Sequence, residues 1–320
     1  MASKTSRAGG GIWGITSYFN PLSSPLRRAN YDLFRRRLGI PLVTVELTYG
    51  DRFELAPDDA GILIQLRGAD VMWQKERLLN IALESLPPEC SSVVWLDADV
   101  VFADADWPVR LARALDDHAL VQPFARAWLL PRGAAPEGLP AGSILRDSAV
   151  AAFSSGLALS DWMRRFGDHG GRKVGLGFAW AAQRQLLDRH GFFDAAIIGG
   201  GDRALVCAAY GAHGMLIEKH RMNPRQERRY LDWAVPFHAD VAGRLGWVSG
   251  DLYHLWHGDI EGRLYAERHA ALSGIGFDPY ADIARADNGV WRWNSDRPEL
   301  HRLLAEYFTG RAHAETEPAA

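Results

Sequence analysis

The sequence predicts an α/β fold, a mostly parallel sheet flanked by helices, and three observations carry that expectation. Short apolar or β-branched runs alternate with stretches of helical spacing through most of the chain, which is the pattern of βαβ units with right-handed crossovers. Strand-like runs such as 93–96 (VVWL) are apolar without alternation, as strands covered on both faces are. A length of 320 residues, 48% hydrophobic and 23% charged, is enough for one large core and excludes wholesale disorder.

The elements follow in order. Residues 1–10 (MASKTSRAGG) are small and polar and are expected to be disordered. A first strand is expected at 12–17 (IWGITS), then a turn at Asn20-Pro21 and a helix over 29–38. The β-branched run 41–47 (PLVTVEL) reads as a strand, and 60–66 as another. Helical spacing over 72–86 (MWQKERLLNIALESL) stops at Pro87-Pro88, because proline cannot continue a helix. A buried strand is expected at 92–96 (SVVWL) and the next at 120–123. The segment 131–147 (PRGAAPEGLPAGSILRD) lacks periodicity and reads as a long loop, a candidate lid, with the glycine-rich 167–177 as a second candidate. Residues 178–190 read as helix, and another helix follows Gly199-Gly200-Gly201-Asp202 through Tyr210. A main domain over 11–260 is thus followed by a helical, aromatic extension over 261–310, carrying Trp291 and Trp293 and packed on it, and by a disordered tail over 311–320.

Composition narrows the function classes. A formal net charge of −3 argues against duplex nucleic acid as the main partner, which calls for a basic surplus. No apolar run approaches the 18 or so residues of a membrane span, and residues 1–10 lack the apolar stretch of a secretory signal. Cys90 and Cys207 read as reduced cysteines, and the expected compartment is the cytoplasm. Oligomeric state is not legible.

Two carboxylates interrupt an otherwise continuous apolar run: Asp97-Ala98-Asp99 lies between VVWL and VVF. Ionised carboxylates inside a covered strand cost several kcal/mol unless paired or metal-bound. A strand ending at Asp97 resolves the conflict and places both groups in the crevice at the carboxyl end of the sheet, where α/β proteins bind ligands. Two hard oxygen donors there suit Mg²⁺ or Mn²⁺ carrying a diphosphate; the plainer alternative is an Asx turn.

Downstream, His254 and His257 stand three apart in YHLWHGD. Imidazoles added to a carboxylate favour Mn²⁺ over Mg²⁺. Residues three apart on a regular strand face opposite sides, so both reach one ion only where the chain curls. A half-buried aromatic segment with hydrogen-bonded histidines is the alternative, but one shared site accounts for both segments.

The third feature is Gly199-Gly200-Gly201-Asp202. Glycines permit positive φ and close approach of the backbone to a ligand. Asp202 reads as an N-cap, as a general base facing the cleft, or as both.

In this order the segments resemble the GT-A glycosyltransferases, and among them the inverting β-1,4-galactosyltransferase and chondroitin-polymerase-like (family 2/7-type) group. The resemblance covers roughly residues 12 to 260 and rests on order more than on any one motif. Residues 73–80 (WQKERLLN) are similar to a helix motif ending in Leu-Leu-Asn, and Asp97-Ala98-Asp99 to the Asp-x-Asp motif. Gly177-Phe178-Ala179-Trp180 and Gly191-Phe192-Phe193-Asp194 resemble the segment that holds sugar and acceptor. Gly200-Gly201-Asp202 resembles Gly-Gly-Glu-Asp, with Gly201 in place of the usual glutamate, and His254 and His257 fall where late metal ligands are found. Residues 195–198 lack the tryptophan that precedes this motif in animal galactosyltransferases.

The resemblance implies a Rossmann-like GT-A domain and a metal-dependent, inverting transfer of a hexose or N-acetylhexosamine from a UDP-sugar to a glycan-type or other hydroxyl. Asp99, His254 and His257 would hold Mn²⁺, with Mg²⁺ as the alternative. Asp97 would bind ribose or sugar hydroxyls, Trp73 and Lys75 would lie near the uracil, Gly200 and Gly201 would line the donor, and Asp202 would be the base. The rivals are a sugar-nucleotide pyrophosphorylase or other nucleotidyltransferase, whose Gly-rich basic signature is missing from 17–25 (SYFNPLSSP), and a non-catalytic UDP-sugar or carbohydrate binder of the same fold.

Overall fold

A computed structural model describes residues 11–21, 24–164, 173–258 and 267–316, the last seven of these by backbone alone. The expected disordered start at 1–10, the first part of the glycine-rich stretch, Asp259 and residues 317–320 lie outside the described residues. In chain order β1 (Ile12–Phe19), α1 (Pro25–Arg37), β2 (Leu42–Leu47), β3 (Ile62–Leu66), α2 (Lys75–Glu84) and β4 (Ser92–Leu96) come first. They are followed by β5 (Val100–Phe102), α3 (Trp107–Asp117), β6 (Leu120–Gln122), β7 (Arg126–Leu129), β8 (Ile144–Ser148), α4 (Ala149–Ser154), α5 (Leu159–Arg164), β9 (Val174–Gly175) and β10 (Ala179–Gln183). Then come α6 (Arg184–His190), α7 (Gly201–Ala209), α8 (His213–Lys219), α9 (Pro224–Val241), β11 (Leu245–Trp247), β12 (Asp251–His254), α10 (Glu267–Gly274), β13 (Ile283–Arg285), β14 (Trp291–Trp293) and α11 (Pro298–Thr316).

The central sheet has the order β11-β6-β10-β4-β1-β2-β3. Neighbours run parallel except at β10, which is antiparallel to both β4 and β6. Alternation along each strand feeds two cores. Val93 and Trp95 of β4 join Ile15, Val43 and Val45 against α2, α7 and α9, while Val94 and Leu96 join Leu42, Tyr31 and Leu111 against α1 and α3. The α/β class read from the sequence is the observed one.

Three local expectations change. Residues 178–190 are not one helix: Ala179–Gln183 is β10, and only Arg184–His190 is helical. Alanine favours a helix in isolation, but residues 179–182 are at most 1% exposed between two strands, and burial overrides propensity. The loop at 131–147 is shorter than expected, since Ile144–Ser148 forms β8 beside β7. In the C-terminal extension Trp291 and Trp293 lie on β14, paired antiparallel to β13, between α10 and α11. The extension packs Trp291, Leu300, Leu304 and Tyr307 against Met72, Ile197 and Ile198, and α11 continues to Thr316, into the segment read as a tail.

A second, five-stranded sheet of order β5-β12-β7-β8-β9 starts where β4 stops. Asp97-Ala98-Asp99 is the hinge between the two sheets, which puts both carboxylates at the mouth of the crevice. No helix among the described residues is long and apolar enough to cross a membrane.

Candidate active site

β4 ends at Leu96, and the next residue keeps one more rung of the ladder. The Asp97 N–H donates to the Phe178 carbonyl at 2.8 Å, while the Asp97 side chain accepts from the Phe178 N–H at 3.2 Å. Phe178 has φ of 73°, an unusual conformation for a bulky residue, and its ring packs edge-on against His254 at 5.0 Å.

Strand register delivers the next group. β5 begins one residue after Asp99 and pairs with β12, so that His254 lies opposite Val100. The Leu255 N–H then donates to the Asp99 carbonyl at 2.9 Å, and the chain leaves the strand. This curl returns His257 to the same carboxylate. His254 Nε2 lies 3.5 Å from Asp99 Oδ1 and His257 Nε2 lies 3.5 Å from Asp99 Oδ2, with the rings at 77° to one another. One ligand atom from each residue falls within 4.8 Å of the others. A carboxylate oxygen and two imidazole nitrogens converging in this way fit a first-row divalent ion such as Mn²⁺.

The opposite wall is built from charge. Lys75, first residue of α2, places Nζ 2.6 Å from Asp97 Oδ1 and 3.2 Å from Asp202 Oδ1. Lys75, expected near a uracil, lines the cavity and ties the two carboxylates together. Burial alone would lower its pKa, yet Asp202 and Asp97 hold it well above the ordinary range. Asp202 is pushed up by burial, offset in part by the Lys75 charge, and its side chain is 37% exposed, reaching solvent through the cleft. The N-cap of α7 is Gly200, at φ of 97°, and Asp202 sits in the first turn without a capping hydrogen bond. The N-cap alternative for Asp202 therefore does not hold, although the helix dipole still favours a carboxylate there.

Glu76 was missed by sequence reasoning. It is 7% exposed, next to Lys75 and behind Asp202, and burial pushes its pKa up to about 7 against the opposing pull of Lys75. A Cβ on residue 201 would collide with the Glu76 carboxyl, so Gly201 and Glu76 occupy one space. An acidic residue in the first turn of a helix gives no sign of this, since that position is favourable anyway. Arg203 and Arg268 were likewise missed; both are buried at the cavity wall.

These groups surround a cavity of about 590 Å³, ample for a diphosphate sugar by the size of ordinary ligand pockets. Trp73, Lys75, Asp97, Asp99, Gly200 and Asp202 line it together with His254 and His257. Gly201 does not; it faces Glu76. Ile144 and Arg146 of the first candidate lid and residues 173–177 of the second also line it. Asp194 lies outside this lining: buried, it accepts from Arg77 at 2.8 Å and Asn80 at 3.0 Å. Asn80 also bonds Phe192 through both backbone groups, so the WQKERLLN and GFFD segments form one structural clamp.

No family model matches the chain, and no curated relative matches it. Among solved structures it is similar to glucosyl-3-phosphoglycerate synthase from Mycobacterium tuberculosis, with 14% identity, a TM-score of 0.42 and 92% of each chain covered. A mannosyltransferase from Pyrobaculum calidifontis, solved with GDP-Man and Mn²⁺, matches at 14% identity and a TM-score of 0.37, over 95% of this chain and 70% of that one. A 4-diphosphocytidyl-2C-methyl-D-erythritol synthase from Anaerococcus prevotii matches at 11% identity and a TM-score of 0.34, over 76% and 90%. Likeness at this level carries no argument about chemistry, which must come from the chain's own side chains.

Proposed function

We propose that the protein is a metal-dependent, inverting glycosyltransferase of the GT-A type that moves a hexose or N-acetylhexosamine from a UDP-sugar to an acceptor hydroxyl. The observation that carries this reading is the single cleft in which Asp99, His254 and His257 converge while Asp202 lines the same cavity. The three residues would hold Mn²⁺, or Mg²⁺ in its place. Once bound, the ion supplies positive charge against the departing diphosphate, so no protonated side chain is needed for the leaving group.

The remaining chemistry belongs to the chain. Asp97, braced by Lys75 and the Phe178 N–H, binds donor hydroxyls. Gly200 lines the cavity with backbone, its missing side chain making room for His220 and His269 behind it, and Trp73, set between Phe19 and Phe308, forms an apolar wall for the nucleotide. Asp202 takes the proton of the acceptor hydroxyl as the oxygen attacks the anomeric carbon opposite the leaving group. One base and one displacement give inversion. Burial keeps the pKa of Asp202 up, which makes it a stronger base than an exposed carboxylate.

The test is UDP release from UDP-Gal, UDP-GalNAc, UDP-Glc and UDP-GlcNAc, with Mn²⁺ and with chelator. Release from at least one donor, stopped by chelation, is expected. Absence of release from all four, together with no UDP binding by calorimetry, contradicts the reading.

A further inference from the structure

The segment that enters α2 alternates between the cleft and the C-terminal extension. Trp73 and Lys75 line the cavity, whereas Met72 and Gln74 are fully buried. Met72 packs among the side chains of the extension, and Gln74 bonds to its backbone.

Gln74 is the N-cap residue of α2, yet its side chain does not cap the helix. The amide reaches β14 instead. Its Nε2 donates to the Trp291 carbonyl at 2.9 Å, and its Oε1 accepts from the Trp291 N–H at 3.0 Å. A primary amide carries both the donor and the acceptor that such a pairing needs. Both backbone groups of Trp291 are thereby satisfied, as a further strand would satisfy them. At a site closed to water these bonds are strong, and losing them is costly.

Neighbouring contacts extend the clasp. The Trp73 N–H donates to the Ile197 carbonyl at 2.7 Å, the Trp291 indole to the Asp194 carbonyl at 2.9 Å, and the Trp293 N–H to the Asp70 carboxylate at 2.7 Å. The Trp73 ring lies 5.5 Å from Phe19 of β1 and 6.4 Å from Phe308 of α11. The position of Trp73 is thus shared between the main domain and the extension.

We infer that Gln74 is a positioning residue for the donor wall: clasped to Trp291, it carries the placement of the C-terminal extension to Trp73 on one side and Lys75 on the other. The inference rests on the proposed transfer reaction, in which Trp73 walls the nucleotide and Lys75 braces Asp97 and Asp202. It makes β14 and α11 part of the donor site, although the described lining of the cavity holds no residue of either.

Full-chain variants test this. Gln74→Met keeps length and bulk and removes both bonds. Its affinity for UDP with Mn²⁺ should fall about fivefold or more, the effect of losing buried hydrogen bonds. Its acid limb in the pH–rate profile should move to higher pH, because Lys75, no longer held, offsets the Asp202 carboxylate less. Gln74→Asn, one methylene short, should lie in between. Phe308→Leu removes the ring beside Trp73 and leaves the clasp, so it should weaken UDP binding without moving the limb. Mn²⁺ binding in the absence of UDP should be unchanged in all three.

A lower Tm with UDP affinity and acid limb both unmoved would make Gln74 structural only and overturn the inference. Loss of Mn²⁺ binding without UDP would overturn it too, by placing the damage in the whole cleft. Should Gln74→Met not fold, Gln74→Asn and Phe308→Leu carry the comparison. If the wild type binds no UDP, the transfer reaction falls separately, and hydrogen exchange over residues 73–79 still decides. Faster exchange there in the Gln74 variants is expected; unchanged exchange overturns the clasp.

Discussion

Asp99, His254 and His257 are held by strand pairing, whereas Lys75, Glu76 and Asp202 are held by one another's charge. The first group takes its place from the β5–β12 register and the Leu255 to Asp99 backbone bond, so the ligand set converges before any ion arrives. The second depends on an ammonium between two carboxylates, with a third buried behind it. Backbone ladders are insensitive to pH and to a single side-chain change; a buried charge cluster responds to both. The two walls of the cleft should therefore fail differently.

The largest effect is expected at the metal wall. Asp99→Ala should abolish Mn²⁺-dependent turnover with little change in Tm, because the strands and not the carboxylate hold that wall; donor-hydrolysis assays and thermal melts check both halves. A large drop in Tm would show that the carboxylate is structural.

Next comes Asp202→Asn, which keeps the size of the side chain and removes the base. Turnover to acceptor should fall by about 10²–10⁴, while calorimetry shows UDP and Mn²⁺ binding retained. Near-normal transfer would remove Asp202 from the chemistry, and a retained anomeric configuration in the product would contradict the single displacement.

Lys75→Met sharpens the comparison further. Charged hydrogen bonds contribute about 1.5–3 kcal/mol, so turnover should drop roughly ten- to a hundredfold. Since Lys75 lowers the Asp202 pKa against burial, its removal should move the acid limb of the pH–rate profile to higher pH. An unshifted limb separates Lys75 from the base.

The smallest effect is a stability difference. Glu76 has a folded pKa of about 7 against an ordinary 4.5, so the folded state binds more protons between these values. Its contribution is fully present below about pH 4.5 and is lost as pH rises through 7. Glu76→Gln should therefore be more stable than wild type at pH 8, by on the order of 1–3 kcal/mol, with the gap closing towards pH 5. Parallel melts across that range would show it; a constant gap would refute the buried-acid account.

The sequence was most informative where chemistry is local. Asp97 and Asp99 stand out because charge interrupts an apolar run, and the bounds of β2 and β4 follow within a residue from their β-branched, apolar runs. His254 and His257 are legible as a pair, but their shared orientation needs the curl after β12, which no local rule supplies. β10 was hidden because its alanines favour a helix until two neighbouring strands bury them. Glu76, Arg203 and Arg268 were silent for a related reason. Each is an ordinary surface residue type whose role arises only from what α7, α10 and the glycines of 199–201 place around it.

Electron paramagnetic resonance titration of Mn²⁺, with UDP present, tests the central claim most directly. Wild type should bind one Mn²⁺ per chain more tightly with UDP than without, with nitrogen hyperfine coupling from imidazole, and Asp99→Ala should lose both the binding and the coupling. Stoichiometric binding that persists unchanged in Asp99→Ala, or no Mn²⁺ binding to the UDP-loaded wild type, would contradict it.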